Sequence, residues 1–255
     1  MTTSKLQDAC ENGNTELVRS LLRASLANTS CCLNDPRVDP SANDNYAIQW
    51  ASVNGHTEIV KLLLNDPRVD PSADDNYAVR WASYNGHTEI VKLLLNNPRV
   101  DPSSKNNYTI KRASVNGHTE IVKLLLNDPR VDPSAGNNHA VQLASEYGHT
   151  EVVKLLLNDP RVDPSADNNY AVRWASENGH TEVVKLLLND PRVDPSDKNN
   201  YAIQQTKSTV IMDMLLEKVH LPSGVDITDY EKFLIRKKYV LKLLSTKVYD
   251  YSKLF

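Results

Sequence analysis

Five histidines, His56, His87, His118, His149 and His180, stand 31 residues apart, each inside the same tetrapeptide Gly-His-Thr-Glu. Imidazole is the commonest metal ligand, so metal binding is the first chemistry to test. Successive packed helices lie about 8–10 Å apart, whereas zinc ligands sit about 2 Å from a shared ion. A row at that pitch cannot close on one metal. The spacing instead assigns each imidazole a backbone hydrogen bond between neighbouring turns. His139 differs, since it stands where other copies have tyrosine, but no second ligand pattern lies beside it. No metal or other cofactor is implied.

The remaining reactive residue types are repeated in the same way. Arg68-Val69-Asp70 and its copies could bind anions in a row; pairing of Arg and Asp between neighbouring fingers is the simpler expectation, each pair of small worth. Trp50, Trp81 and Trp174 could anchor a partner, but they precede a regularly placed alanine and are assigned mainly to packing. Nothing resembles a nucleophile elbow, a phosphate loop or a zinc knuckle. A catalytic cluster is asymmetric, and here almost every candidate residue recurs in each copy. The last 37 residues are too few for a separate catalytic domain. The chain is read as a non-enzyme.

These residues must be positioned by a short unit copied in tandem, and a fixed period of this size marks a solenoid. In the copy from Asp66 to Leu95, Ala78, Trp81 and Ala82 fall on one side of a first helix, with Asn76 placed as its N-cap. Asn85-Gly86 stops that helix. A second helix, Thr88 to Leu95, puts Ile90, Leu93 and Leu94 on one face and Glu89 and Lys92 on the other. Asn97-Pro98 ends it, Arg99 to Ser103 is read as extended, and Ser104 to Asn107 as the turn into the next unit. Each helix is about two turns long, below the roughly 12–15 residues at which isolated helices become marginal. Stacking is therefore obligatory.

The unit resembles an ankyrin repeat. Tyr77-Ala78-Val79-Arg80 stands where that family has Thr-Pro-Leu-His, Ala82-Ser83 where it has Ala-Ala, and Gly86-His87 and Ile90 to Leu95 match directly. The period is 31 residues against the family's usual 33 or so, and the missing length falls in the finger. The variant is similar to repeats of large DNA viruses of amoebae and of protists. The resemblance implies an all-α ankyrin-repeat solenoid of stacked helix–turn–helix units with short fingers, acting as a protein–protein interaction scaffold through its concave face and fingers.

The ends are modified. The first unit has Asn14 where later ones have histidine, and an insertion from roughly Arg23 to Cys32 precedes the next finger. The last starts at Tyr201 and lacks Gly-His; Ser208-Thr209 is placed to cap its second helix. This gives an array over 1–218 of about seven units, followed by a basic amphipathic helical cap over 219–255, the helix itself spanning Asp226 to Leu244. Leu221-Pro222 also suggests an alternative, an F-box-like segment by which the chain would serve as a substrate adaptor for a ubiquitin ligase.

Composition narrows the partners. A net charge of −3 carries no concentrated basic footprint for nucleic acid. No apolar run is long enough to span a membrane, the N-terminus is not a signal peptide, and three cysteines form no disulfide framework. A monomeric, cytoplasmic protein is expected. Differences between copies then point to a surface, because positions that packing leaves free can vary. Lys105, Lys111 and Arg112 stand where the preceding unit has Asp74, Arg80 and Trp81, and Tyr84 and Tyr147 lie on the units to either side. Cationic and aromatic groups together suit an acidic segment of a partner protein, so these five residues form the expected binding site.

Overall fold

The computed structural model describes residues 2–27 and 38–218, and among them every regular element is a helix. Helices α1 (Thr2–Glu11), α2 (Thr15–Ala27), α3 (Ala42–Val53), α4 (Thr57–Leu64), α5 (Ala73–Asn85), α6 (Thr88–Leu95), α7 (Ser104–Val115), α8 (Thr119–Leu126), α9 (Ala135–Glu146) and α10 (Thr150–Leu157) belong to one compact unit, residues 1–163. Helices α11 (Ala166–Glu177), α12 (Thr181–Leu188), α13 (Asp197–Gln205) and α14 (Thr209–Lys218) belong to a second, which begins at Pro164. In the first unit the odd-numbered helices pack in a row and the even-numbered ones in a parallel row behind them; α11 with α13 and α12 with α14 repeat this in the second. We call the odd-numbered helices inner and the even-numbered ones outer. The expected cap and the F-box-like segment, both within 219–255, lie outside the described residues.

The outer helices follow from their sequence directly. In α6, Ile90, Val91 and Leu94 are fully buried, while Glu89 and Lys92 pair at 2.6 Å on the exposed side. Gly86 enters the left-handed region at φ 82°, which lets the His87 amide bond back to the Ala82 carbonyl at 2.9 Å and turns the chain within two residues. At the far end Asn97 to Val100 makes a tight turn closed by the Val100 amide on the Asn97 carbonyl, and Val100 plugs the core. The segment read as extended is thus mostly two turns, with only Val100 and Asp101 between them. The first turn arises because Pro98 fixes φ just where the chain must reverse. At the C-terminal end Ser208 caps α14, its Oγ accepting from the Ile211 amide at 3.3 Å. Helix α2 takes in residues 23–27, the start of the stretch read as an insertion.

The entry to each inner helix differs from the expected N-cap. Asp74, Asp75 and Asn76 all lie in the left-handed region, at φ 50°, 53° and 65°, before right-handed helix begins at Tyr77. Left-handed residues with a Cβ cost roughly 1–2 kcal/mol each, least for Asn and Asp, and those residue types recur at these positions. Asn76 does not cap its own helix. Its Oδ1 accepts from the Asp101 amide of the following finger at 2.7 Å, because the left-handed backbone aims the side chain along the stack. Asn45, Asn107 and Asn138 do the same to Asp70, Asp132 and Asp163. Each finger is therefore pinned by the unit before it.

Candidate functional site

Histidines and arginines spend their hydrogen bonds on holding the stack. Nε2 of His56, His87, His118 and His149 lies 2.8–2.9 Å from the carbonyls of Glu11, Val53, Tyr84 and Val115, each one unit earlier. The backbone role read from their spacing is the one they have. Among the described residues no group of three His, Cys, Asp or Glu is placed to hold a metal. Cys10 is buried, which pushes its thiol up to about 12 and leaves it inert near neutral pH.

The arginine pairing differs from expectation. Arg68 grips Asp66, two residues before it, through Nε and Nη2 at 2.9 and 2.6 Å, and Arg130, Arg161 and Arg192 repeat this fork with Asp128, Asp159 and Asp190. The tight turn brings the pair together locally, and the guanidinium beside each of these aspartates holds its carboxyl below the usual range. Arg99 alone has no acid at that offset, since Asn97 stands there, and it approaches Asp70 of the previous finger at 4.0 Å.

The inner helices carry a half-buried aromatic and cationic strip, of which Tyr84 is the exposed member. Tyr46 and Trp50 have ring centroids 5.6 Å apart, and Tyr77 and Trp81 5.7 Å. Trp81 meets Tyr84 edge-on at 5.2 Å. Arg80 lies 5.7 Å from the Tyr77 ring and 5.5 Å from Tyr108, and Arg112 lies 4.5 Å over Tyr108 and 5.9 Å from Tyr84. Trp50, Trp81 and Trp174 are only half-buried, so they pack on the surface rather than in the core. The core position belongs to the small alanine after each, which lets the helices approach closely.

The five residues singled out from the sequence separate into groups. Tyr84 and Arg112 come together, joined by Tyr108. Lys105 is at the finger, paired with Asp75 at 2.6 Å, and that ammonium lowers the Asp75 carboxyl. Lys111 extends toward the next finger: a Cβ on Gly136 would stand 2.6 Å from its Nζ. Burial pushes the Lys111 ammonium down, with Asp132 opposing. Tyr147 is 55% exposed, and its side chain makes no hydrogen bond or ring contact among the described residues.

A comparison of copies misses one participant and undervalues another. Tyr108 occupies a position that is tyrosine in nearly every unit, so it shows no difference to notice. His139 stands out in the sequence only as a candidate ligand. Its ring is held below the ordinary imidazole value by burial, then by Lys111, with Glu146 opposing and Arg112 adding to the fall.

The sequence matches a family model described as ankyrin repeats (3 copies) over residues 6–106 and 110–199. Among solved structures it is similar to the crystal structure of the human ASB11 ankyrin repeat domain, at 19% identity and a TM-score of 0.63, over 86% of this chain and 99% of that one. It is also similar to the crystal structure of the ankyrin repeat domain of Bcl-3, a unique member of the IkappaB protein family, at 21% identity and a TM-score of 0.61, over 83% of this chain and 97% of that one. At such identities the likeness concerns the fold. No curated protein matches the sequence.

Proposed function

The chain belongs to the ankyrin-repeat family, whose domains are generally protein–protein interaction modules, and on that premise we propose that it is a non-enzymatic scaffold binding an acidic segment of a partner protein along its inner helices. One observation carries the choice of surface. Arg112 has no carboxylate partner among the described residues and instead lies over the Tyr108 ring beside Tyr84. A guanidinium stacked in this way keeps its planar edge free for a partner's carboxylate, and the rings supply apolar contact that polar side chains would not. Lys111 adds a second charge one residue away, and exposed Tyr147 extends the surface on the following unit. Lys105 is the least committed of the set, because Asp75 already compensates it.

The experiment is selection from a random peptide library displayed on phage, against the full chain and against a variant with Lys105→Asp, Lys111→Arg and Arg112→Trp. These changes restore the residues of the neighbouring unit, so the fold should survive. Enriched peptides should be acidic, should bind more weakly as salt rises, and should fail to bind the variant. Enrichment of neutral peptides, or equal binding to the variant at low salt, would place the partner surface elsewhere. Among the described residues no helix is long and apolar enough to cross a membrane.

A further inference from the structure

The residue at position 111 breaks a pattern that its counterparts keep. Gln49 and Gln142 donate to carbonyls of their own left-handed turns, Asp44 and Asn137, at 2.6 and 2.7 Å. Arg80 donates twice, to the carbonyls of Asp75 and Asp74, and Arg173 likewise to those of Asn168 and Asp167, all at 2.8–3.0 Å. Each of these side chains locks the turn it springs from. Lys111 makes no such bond; its ammonium crosses to the next unit and lies over Gly136, with the Asn106 amide nitrogen on the same side, 3.4 Å from where a Cβ would be. Gly136 is the one glycine among the described left-handed residues that open the inner helices, and a Cβ there would displace the ammonium from where it now lies.

Beside Lys111 on α7 is Arg112, which likewise has no ion pair among the described residues. Three residues beyond Gly136 is His139, on whose ring both cations act. The nearby Asp132 offsets this charge in part without forming an ion pair with Lys111. Its Oδ1 is held by the Ser134 amide and hydroxyl at 2.9 and 2.6 Å.

We propose that Lys111, Arg112 and His139 form a subsite for a phosphoryl group carried on a side chain of the bound segment, a proposal that rests on the acidic-partner reading above. Charge argues for this anion. A single carboxylate neutralises one of the two fixed cations, whereas a phosphorylated side chain carries about −1.5 to −2 at pH 7 and offers three acceptor oxygens. The donors also match in kind: a planar guanidinium fork steadied on Tyr108, a point-charge ammonium, and an imidazole and an amide to complete the set.

The test compares three sets of degenerate acidic peptides, alike except for phosphoserine, glutamate or serine at one fixed position, binding to the full chain by fluorescence anisotropy. The phosphoserine set should bind about tenfold or more tightly than the glutamate set. That advantage should fall below about twofold in Lys111→Gln and in Arg112→Leu, which install residues found at the same position in the following unit. Lys111→Arg keeps the charge but ties it back to its own turn, as Arg80 is tied, and should lose the advantage as well. Tyr84→Ala should weaken all three sets together. Equal binding of the phosphoserine and glutamate sets overturns the subsite and leaves the acidic-partner reading standing. Persistence of the advantage in all three variants overturns it too, by seating the phosphoryl group elsewhere. Displacement of the phosphoserine set by equimolar inorganic phosphate would show that the free ion is the ligand and likewise refute the proposal. Failure of every set to bind the wild-type chain removes both readings.

Discussion

Replacing Gly86 by alanine is expected to cost more than the same replacement at Gly179, although the two glycines have nearly the same conformation, φ 82° and 80°. At both sites alanine must enter the left-handed region, at roughly 1–2 kcal/mol, partly offset by the reduced freedom of the unfolded chain, about 0.4–1 kcal/mol. Those contributions cancel in the comparison. At Gly86 the new Cβ would also meet the His118 imidazole at 2.7, 2.9 and 3.1 Å, while at Gly179 nothing lies within 4 Å. The imidazole must therefore move and give up its 2.8 Å contact to the Tyr84 carbonyl, a bond worth about 0.5–1.5 kcal/mol. Repacking around it adds about 1–3 kcal/mol. The expected difference is about 1.5–4.5 kcal/mol. Urea unfolding read by tryptophan fluorescence measures it, with Trp81 reporting on α5 and Trp174 on α11, each in a background where the other two tryptophans are leucine. Local reporters are needed because repeat arrays need not unfold in one step. In a His118→Ala background the cost of Gly86→Ala should fall to that at Gly179. Equal costs at the two glycines, or simple additivity with His118→Ala, would refute the claim that glycine and histidine form one packing element.

Other substitutions test the fingers. Asn97→Asp restores the acid that Asp66, Asp128, Asp159 and Asp190 supply, so it should draw Arg99 off Asp70 and raise stability by about 0.5–1 kcal/mol, visible as a Tm increase of about 1–4 °C. Asn107→Ala removes the acceptor for the Asp132 amide and places alanine in a left-handed turn, for a loss of about 2–4 kcal/mol in urea unfolding; Asn107→Gly should lose only the bond, about 1–2 kcal/mol. Acid should act through the Arg–Asp forks. The lowered carboxyls of Asp66, Asp128, Asp159 and Asp190 mean that the unfolded chain binds more protons below about pH 4. Stability is then complete above that pH and is lost as pH falls further. Melting followed from pH 6 to pH 2.5 checks this, and Asp66→Asn should flatten part of the fall.

How much of this is legible in the sequence depends on whether an interaction lies within a helix, across one step of the stack, or in a turn. The outer helices can be read because their apolar residues recur at helical spacing, although Val91 rather than Leu93 joins Ile90 and Leu94 in the core, and the histidine bond because the repeat pitch rules out a shared metal. The turns cannot. Nothing in an Asp-Asp-Asn string announces three left-handed residues, so Asn76 looks like a cap for its own helix when it holds Asp101 of the next finger. The Arg–Asp fork is hidden for a related reason: the Arg-Val-Asp triplet draws the eye to Asp70, whereas the tight turn brings Arg68 to Asp66 at 2.6 Å. At the site, differences between copies find Lys111 and Arg112 but give Lys105 equal standing. The discriminating information is a pair of positions rather than one. Lys105 arrives opposite an aspartate, Asp75, in the unit before it, so its charge is answered within the stack. Lys111 arrives opposite a glycine, Gly136, in the unit after it, so it meets space there, and Asp132 acts on it without forming an ion pair. A substitution answered by its neighbour serves the array, and one accommodated without an ion pair leaves a cation at the surface, where the binding proposed for Lys111 and Arg112 can use it.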